Sequence, residues 1–292
     1  MRTNFGPLRM TQGQFIVPGI SSKPLEHNVR FDGESDREEC MRRAVVALWL
    51  AASVSVELGA QDLTPEQWLW AVKSETSPLL RTVPDYACLE SMVSRSFGGN
   101  RLKPDQHDAA QVEVAFIDGQ EWFSLPGERR FSSAKLSKLL SPVLAATGLY
   151  SSLARGLMGA SVEGMQFITR TDLAGEPAGL FRFDKSKDKP SWVIELNGRH
   201  ALATEEGYFW ANVQTLLLKR VSVDATHIQP DIGLKKLHID VQYEVKSVSE
   251  RRVLLPSSAQ IWATESDGKQ YASDVLFTHC RSYRAESSLS FH

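Results

Sequence analysis

Strict alternation of apolar and polar residues dominates the second half of the chain and predicts β-strands. The clearest example spans residues 237–246, and its apolar positions are Leu237, Ile239, Val241, Tyr243 and Val245. A period of two places apolar side chains on one face of a sheet and polar side chains on the other. One buried and one solvent-exposed face are typical of an antiparallel sheet.

Three dipeptides between apolar runs predict hairpin turns. They are Asp118-Gly119, Asn197-Gly198 and Asp267-Gly268. Asp-Gly and Asn-Gly tolerate the positive φ angles that two-residue hairpin turns require. Together with the other alternating stretches, these hairpins predict about eleven or twelve strands.

A helix is predicted to precede the strands. Thr64 and Gln67 form a capping box, and Pro65 suits the first helical position. Trp68 begins an apolar face at helical spacing and is expected to anchor the helix to the domain. Pro78 and Pro84 are expected to stop the helix, because proline breaks the backbone hydrogen-bond ladder.

One long segment lacks alternation. Residues 132–158 have leucines at helical spacing, interrupted by Pro142 and Gly148, which predicts two helices joined by a bend. This insertion either fills the space against an apolar sheet face as a plug or covers a cavity as a mobile lid.

The order of elements predicts a mainly β (α+β) fold. A highly curved antiparallel sheet, or open half-barrel of about eleven strands wrapped on a few helices, fits this order. A β-sandwich has the same strand number but gives the insertion no role. Inward-facing aromatic and apolar residues of a half-barrel either fill its core or line a hollow. The candidate cavity-lining residues are Trp122, Trp192, Phe209, Trp210, Leu139, Leu140 and Val143.

The segment 41–60 has the pattern of a signal peptide. Met41-Arg42-Arg43 precedes a short uncharged apolar run that ends at Gly59-Ala60. The alternative is a buried core helix of the same composition. We expect residues 1–40 to be a non-native or disordered extension and residues 61–292 to form a single exported domain, periplasmic or secreted. No later apolar stretch is long enough to predict a transmembrane helix.

The cysteines then favour one disulfide. Cys40 precedes the expected cleavage site, which leaves Cys88 and Cys280 in the exported chain. An even number of cysteines in an oxidising compartment favours a disulfide. Two free thiols, or a metal pair that includes His279, are the alternatives.

Composition and motifs exclude several functional classes. A net charge of −2 and a pI of about 6.4 argue against a basic nucleic-acid-binding surface. The chain lacks the Gly-x-Ser-x-Gly, HExxH and CxxC motifs and a glycine-rich phosphate loop. His238 and Asp240 share a strand face, but a solvated face explains them. We therefore predict no catalytic residues, no bound metal, no cofactor and no enzymatic activity.

Several segments resemble uncharacterised secreted proteins of soil bacteria. They include Val83–Cys88, Val114–Phe123, Gly207–Asn212, Leu254–Pro256 and Phe277–Arg281, spread over most of residues 64–292. The stretch from Tyr208-Phe209-Trp210 to Leu216–Val221 also resembles the lipoprotein carriers LolA and LolB and the related sensor RseB.

The resemblance to the carriers implies an open β-barrel wrapped on helices that binds acyl chains, with lipid, lipoprotein or an envelope protein as partner. It supplies no individual ligand-contacting residue. The predicted function is binding of a hydrophobic ligand by an exported, non-enzymatic half-barrel. The alternative is an envelope structural, interaction or sensor module with a filled core.

Overall fold

A computed structural model describes residues 9–11, 63–98, 106–117, 120–128, 131–132, 149–185, 192–196 and 199–283, with isolated positions 104 and 190. The described helices are α1 (Pro65–Arg81) and α2 (Leu149–Gly159). The described strands are β1 (Arg9–Thr11), β2 (Tyr86–Phe97), β3 (Gln106–Ile117), β4 (Gln120–Ser124), β5 (Met165–Leu173), β6 (Glu176–Asp184), β7 (Trp192–Leu196), β8 (Arg199–Asn212), β9 (Leu218–Thr226), β10 (Leu234–Val248), β11 (Arg251–Glu265) and β12 (Gln270–Ser282). A short 3-10 turn, Pro230–Ile232, precedes β10.

All twelve described strands belong to one antiparallel sheet. Its order is β1-β7-β8-β9-β10-β11-β12-β2-β3-β4, and β6 pairs with the second half of β8 while β5 pairs with β6. The sheet curves but does not close, which confirms the predicted open half-barrel. The twelve described strands agree with the predicted number, although β1, at three residues, is too short to show alternation.

The three predicted hairpins are present. Ile117 pairs with Gln120, and Leu196 pairs with Arg199, so in each case the antiparallel pairing extends to within two residues of the next strand. In the third hairpin the Glu265 N–H donates to the Lys269 carbonyl across Asp267-Gly268. The dipeptide signal therefore located each hairpin correctly.

Helix α1 begins as predicted but ends later. The Gln67 N–H donates to the Thr64 hydroxyl over 3.3 Å, and the Thr64 N–H donates to the Gln67 side chain over 2.9 Å. The helix continues through Pro78 to Arg81, so the prediction that Pro78 stops it is wrong, whereas the helix does end before Pro84. Thr82 closes the last turn, because its N–H and its hydroxyl both donate to the Pro78 carbonyl.

The helices cover the sheet face that we call the inner face. Helix α1 contacts α2, β5 and β11, and α2 contacts β11 as well. The inner face is apolar, and its fully buried positions include Phe209, Val221, Val223, Ile239, Val241 and Ile261. The alternation predicted for β10 is confirmed, since Leu237, Ile239, Val241 and Tyr243 are all buried.

Several predictions fall outside the described residues. They concern residues 1–62 apart from β1, the first part of the insertion (133–148) and the chain after Tyr283. The N-terminal extension, the signal peptide and the domain boundary at residue 61 stay predictions. Helix α2 is the described part of the insertion. Neither described helix has the length and apolar character needed to cross a membrane.

Candidate functional site

One end of the half-barrel interior is filled by an aromatic cluster, which we call the tryptophan cluster. It comprises Trp68, Phe167, Phe181 and Phe209. The Phe181 and Phe209 rings stack with centroids 4.7 Å apart, and Trp68 lies 6.0 Å from Phe181. Trp68 reaches the sheet because Gly179 has no side chain. It therefore anchors α1, as its position in the apolar face of that helix predicts.

A polar contact joins the two helices nearby. The buried Lys73 amine of α1 donates to the carbonyl of Ala160, one residue beyond the end of α2. Carbonyls at a helix C-terminus attract cations because the helix dipole is negative there. Burial, and then the charge of Lys185, lower the pKa of Lys73. Lys185 itself pairs with the buried carboxylate of Glu205.

A disulfide between Cys88 and Cys280 lies at the other end of the interior. It confirms the predicted pairing and joins β2 to β12. The register of the two strands shifts there. Leu89 pairs with Thr278, whereas Ala87 pairs with Arg281. Two residues of β12 thus face Cys88, which is a β-bulge, and His279 takes the positive φ of 52° within it.

The apolar residues around this bond form a second cluster, the disulfide cluster. Its buried members are Tyr86, Cys88, Phe116, Val248, Val253 and Leu255. Tyr86 stacks on Phe116 with ring centroids 5.7 Å apart. Burial, and then the charge of Glu121, raise the pKa of the Tyr86 phenol, and burial does the same for Tyr243.

Helix α2 brings a cation to this cluster. The guanidinium carbon of Arg155 lies 4.7 Å from the Phe116 ring centroid, a cation–π contact. Burial lowers the pKa of Arg155, while Tyr86 acts in the opposite direction. The interior of the described half-barrel is therefore apolar and packed, and Arg155 and Lys73 contribute cations along its helices.

The outer sheet face carries a row of polar cross-strand pairs. Arg220 donates to both carboxylate oxygens of Asp240 over 2.6 to 2.9 Å and lies over the Trp210 ring at 4.8 Å. His238 pairs with Asp224 at 2.8 Å and packs against Trp262. Asp240 and His238 thus have separate partners. His238 is half-exposed, but Asp240 is buried, so the expectation of a solvated strand face is wrong for Asp240.

Two grooves open on the same face. One encloses about 420 Å³ and is lined mainly by polar residues, among them Asp240, Gln242, Ser258, Gln260 and Asp274. The other, of about 370 Å³, lies beside it over β2 and β3. Both are shallow depressions over strands.

The four cavity-lining candidates that the structure describes do not share one site. Phe209 is fully buried in the tryptophan cluster, whereas its neighbour Trp210 lies on the outer face beside Arg220. Trp122 is half-buried on β4, the last strand at one edge, and Trp192 is half-buried on β7. Leu139, Leu140 and Val143 lie outside the described residues. The assignment of the set to a ligand cavity stays a prediction.

The interior cations were missed at the sequence level. Arg155 and Lys73 occupy ordinary helical positions, and neither is part of a motif. The spacing of Arg155 between Leu153 and Leu157 shows only that it borders the apolar face of α2. Among the described residues, no group of three or more His, Cys, Asp or Glu is arranged to hold a metal ion.

Comparison with solved structures finds five matching chains. A crystal structure of a LolA superfamily protein from Nitrosomonas europaea is similar over 77% of this chain and 96% of its own, with 10% identity and a TM-score of 0.33. No protein-family model matches the chain, and no curated protein sequence matches it.

Proposed function

We propose that this chain is an exported, non-enzymatic protein that binds an apolar ligand, such as a lipid acyl chain, on the inner face of its half-barrel. The observation that carries the proposal is an apolar, curved and unclosed sheet face covered by two helices. Apolar ligands bind in concave apolar surfaces, and the mouth of a barrel-like sheet is a common place for them.

Export is supported by the disulfide. Disulfides persist in oxidising compartments and are rare in the cytosol, where thiols are kept reduced. Cys88 is buried within the disulfide cluster, so the bond is part of the packed interior. A stable bond of this kind suits a protein of the periplasm or the exterior.

Ligand entry requires α2 to move, because the interior is filled in this structure. Leu153, Leu157 and Met158 of α2 are buried against the sheet and α1. Exposing each of these side chains costs about 1.5–3 kcal/mol, so the ligand must bury a comparable apolar area in their place. Helix α2 would then act as the lid, and the contact between Lys73 and Ala160 would hold the lid closed.

The filled interior also favours a second candidate function. An envelope interaction or sensor module needs a stable packed domain and no ligand cavity. The packed tryptophan cluster and the position of both grooves on the outer face support this candidate. The two candidates differ in whether an apolar small molecule binds at all.

The test is titration of the exported protein with oleyl alcohol, a neutral apolar probe, followed by native mass spectrometry. The proposal expects a one-to-one complex. Lys73→Met keeps the apolar stem but removes the contact with α2, so the probe should bind several-fold more tightly as the closed state becomes less populated. Lys219→Met, at a half-exposed lysine paired with Glu176, is the matched control and should bind as the wild type does. The absence of a complex with all three proteins would refute the proposal and leave the filled-core module.

A further inference from the structure

Arg155 is the least satisfied charged group that the structure describes in the interior. Its Nε atom is buried and has no hydrogen-bond partner. Within the described part of the chain, no carboxylate forms an ion pair with it. A buried N–H of a charged group is costly to leave without an acceptor, because it has lost its hydrogen bonds to water.

Other cations along the helices already have acceptors. Lys73 donates to the Ala160 carbonyl, and Lys185 pairs with Glu205. Arg155 differs from both, because the neighbours described for its guanidinium are the Phe116 ring and the Tyr86 phenol. An aromatic face supports a guanidinium but leaves its N–H groups, which lie in the guanidinium plane, available for an in-plane acceptor.

The guanidinium itself suits a negatively charged acceptor. The guanidinium carries donors in a fixed fork that matches the geometry of a carboxylate or a phosphate. The hydroxyl-bearing rings of Tyr86 and Tyr243 are close enough to influence each other electrostatically, and Tyr86 also interacts with Arg155. Glu121, which raises the pKa of Tyr86, is the acidic group acting on the cluster from β4.

We propose that Arg155 binds the anionic headgroup, a carboxylate or a phosphate, of an amphiphile whose chain lies on the inner face beneath α2. Arg155 is half-buried, so the headgroup can remain at the rim while the chain is enclosed. This inference rests on the proposed function. It adds the chemical class of the ligand and the residue that selects it.

The experiment compares ligands that share a chain and differ in charge. Oleate is compared with oleyl alcohol, and dioleoylphosphatidate with dioleoylglycerol, by isothermal titration of the exported, disulfide-bonded protein. The wild type should bind the anionic member of at least one pair about tenfold more tightly, which corresponds to about 1.4 kcal/mol. A preference confined to oleate identifies a carboxylate ligand, and one confined to dioleoylphosphatidate identifies a phosphate.

The variants separate a headgroup contact from a structural role. Arg155→Gln should lose the preference for the anion and keep its affinity for the neutral ligands, whereas Arg155→Lys should keep part of the preference. Arg182→Gln, an exposed arginine paired with Glu206, is the matched control and should behave as the wild type. Unfolding midpoints of all variants within a few degrees of the wild type would show that folding is intact.

The outcomes distinguish this inference from the function on which it rests. Equal binding of charged and neutral ligands by the wild type overturns the role of Arg155 and leaves the proposed function standing. A tenfold preference that persists in Arg155→Gln overturns it as well. Failure of every ligand to bind overturns the proposed function together with this inference.

Discussion

Single residues decide how the helices fit against the sheet, and Gly179 is the clearest example. A Cβ atom added at Gly179 would lie 2.0 Å from Cζ3 of Trp68 and 3.1 Å from the Phe181 ring. The ring of Trp68 therefore occupies the space of the missing side chain. Because the packing is this close, even one added methyl group has to displace the ring of Trp68, which anchors α1.

Gly179→Ala is expected to destabilise the protein by about 1–3 kcal/mol, because it overpacks the tryptophan cluster. The measurement is the free energy of unfolding from urea denaturation.

The matched control is Gly156→Ala on the exposed side of α2. A Cβ atom there meets nothing within 4 Å. Alanine has less backbone freedom than glycine in the unfolded chain, so this change should stabilise by about 0.5–1 kcal/mol. Equal effects of the two substitutions would contradict the close approach of Trp68 to Gly179.

At the scale of secondary-structure elements, the hairpin between β11 and β12 shifts the pKa of a carboxyl group that it contains. Glu265 ends β11, and Tyr271 lies on β12 across the turn. Burial, and then the charge of Asp267, raise the pKa of Glu265 from 4.5 to about 7, although Lys269 and Tyr271 act in the opposite direction. The turn therefore holds a carboxyl group that prefers its proton near neutral pH.

The hairpin should make stability depend on pH in a defined direction. Between pH 4.5 and 7 the folded protein binds the Glu265 proton more tightly than the unfolded chain does. This contribution is fully present below pH 4.5 and is lost as the pH rises through 7. The free energy of unfolding of the wild type should therefore fall relative to Glu265→Gln across this interval.

Urea denaturation at several pH values measures that difference, and Glu163→Gln, an exposed glutamate between α2 and β5, is the control. The wild type and the control should have parallel pH profiles. If the free energies of unfolding of the wild type and Glu265→Gln differed by the same amount at every pH, that result would contradict the raised pKa of Glu265.

Across the whole molecule, the disulfide joins strands that are remote along the chain. Cys88 and Cys280 are separated by 192 residues, and β12 pairs with β2 beside them. The bond thus links the first long strand of the sheet to the last. Its effect on stability comes mainly from limiting the freedom of the unfolded chain.

The double variant Cys88→Ala/Cys280→Ala should lose up to about 5 kcal/mol of stability, the chain-entropy estimate for a loop of this length. Urea denaturation of the two proteins measures the loss. With a reductant, the free energy of unfolding of the wild type should fall towards that of the double variant. The reductant should not change the free energy of unfolding of the double variant. A wild-type protein that is equally stable in both conditions would contradict a bond that limits the unfolded chain.

Local rules account for what was predictable from the sequence. The capping box at Thr64, the three hairpin dipeptides and the alternation along β10 each depend on residues close together in the chain. The curved sheet and the disulfide followed from the order of these elements and the cysteine count. The position of the tight turns also fixed which strands are neighbours within each hairpin.

The candidate site was less predictable, and Phe209 and Trp210 show why. They are consecutive on one strand, so their side chains point to opposite faces, and a list of aromatic residues cannot say which faces inward. Register supplies that information. It places Phe209 opposite Phe181 on the inner face and Trp210 opposite Arg220 on the outer face.

The sequence by itself determined the type of most of the described elements, most of the turns and the pair of cysteines, because propensity, capping and alternation act over a few residues. Only the tertiary structure decided the pairing of β12 with β2, the bulge at His279 and the approach of Trp68 to Gly179. It also decided that Arg155 is enclosed without an acceptor at Nε. These features depend on contacts between residues far apart in the chain, for which no local pattern exists.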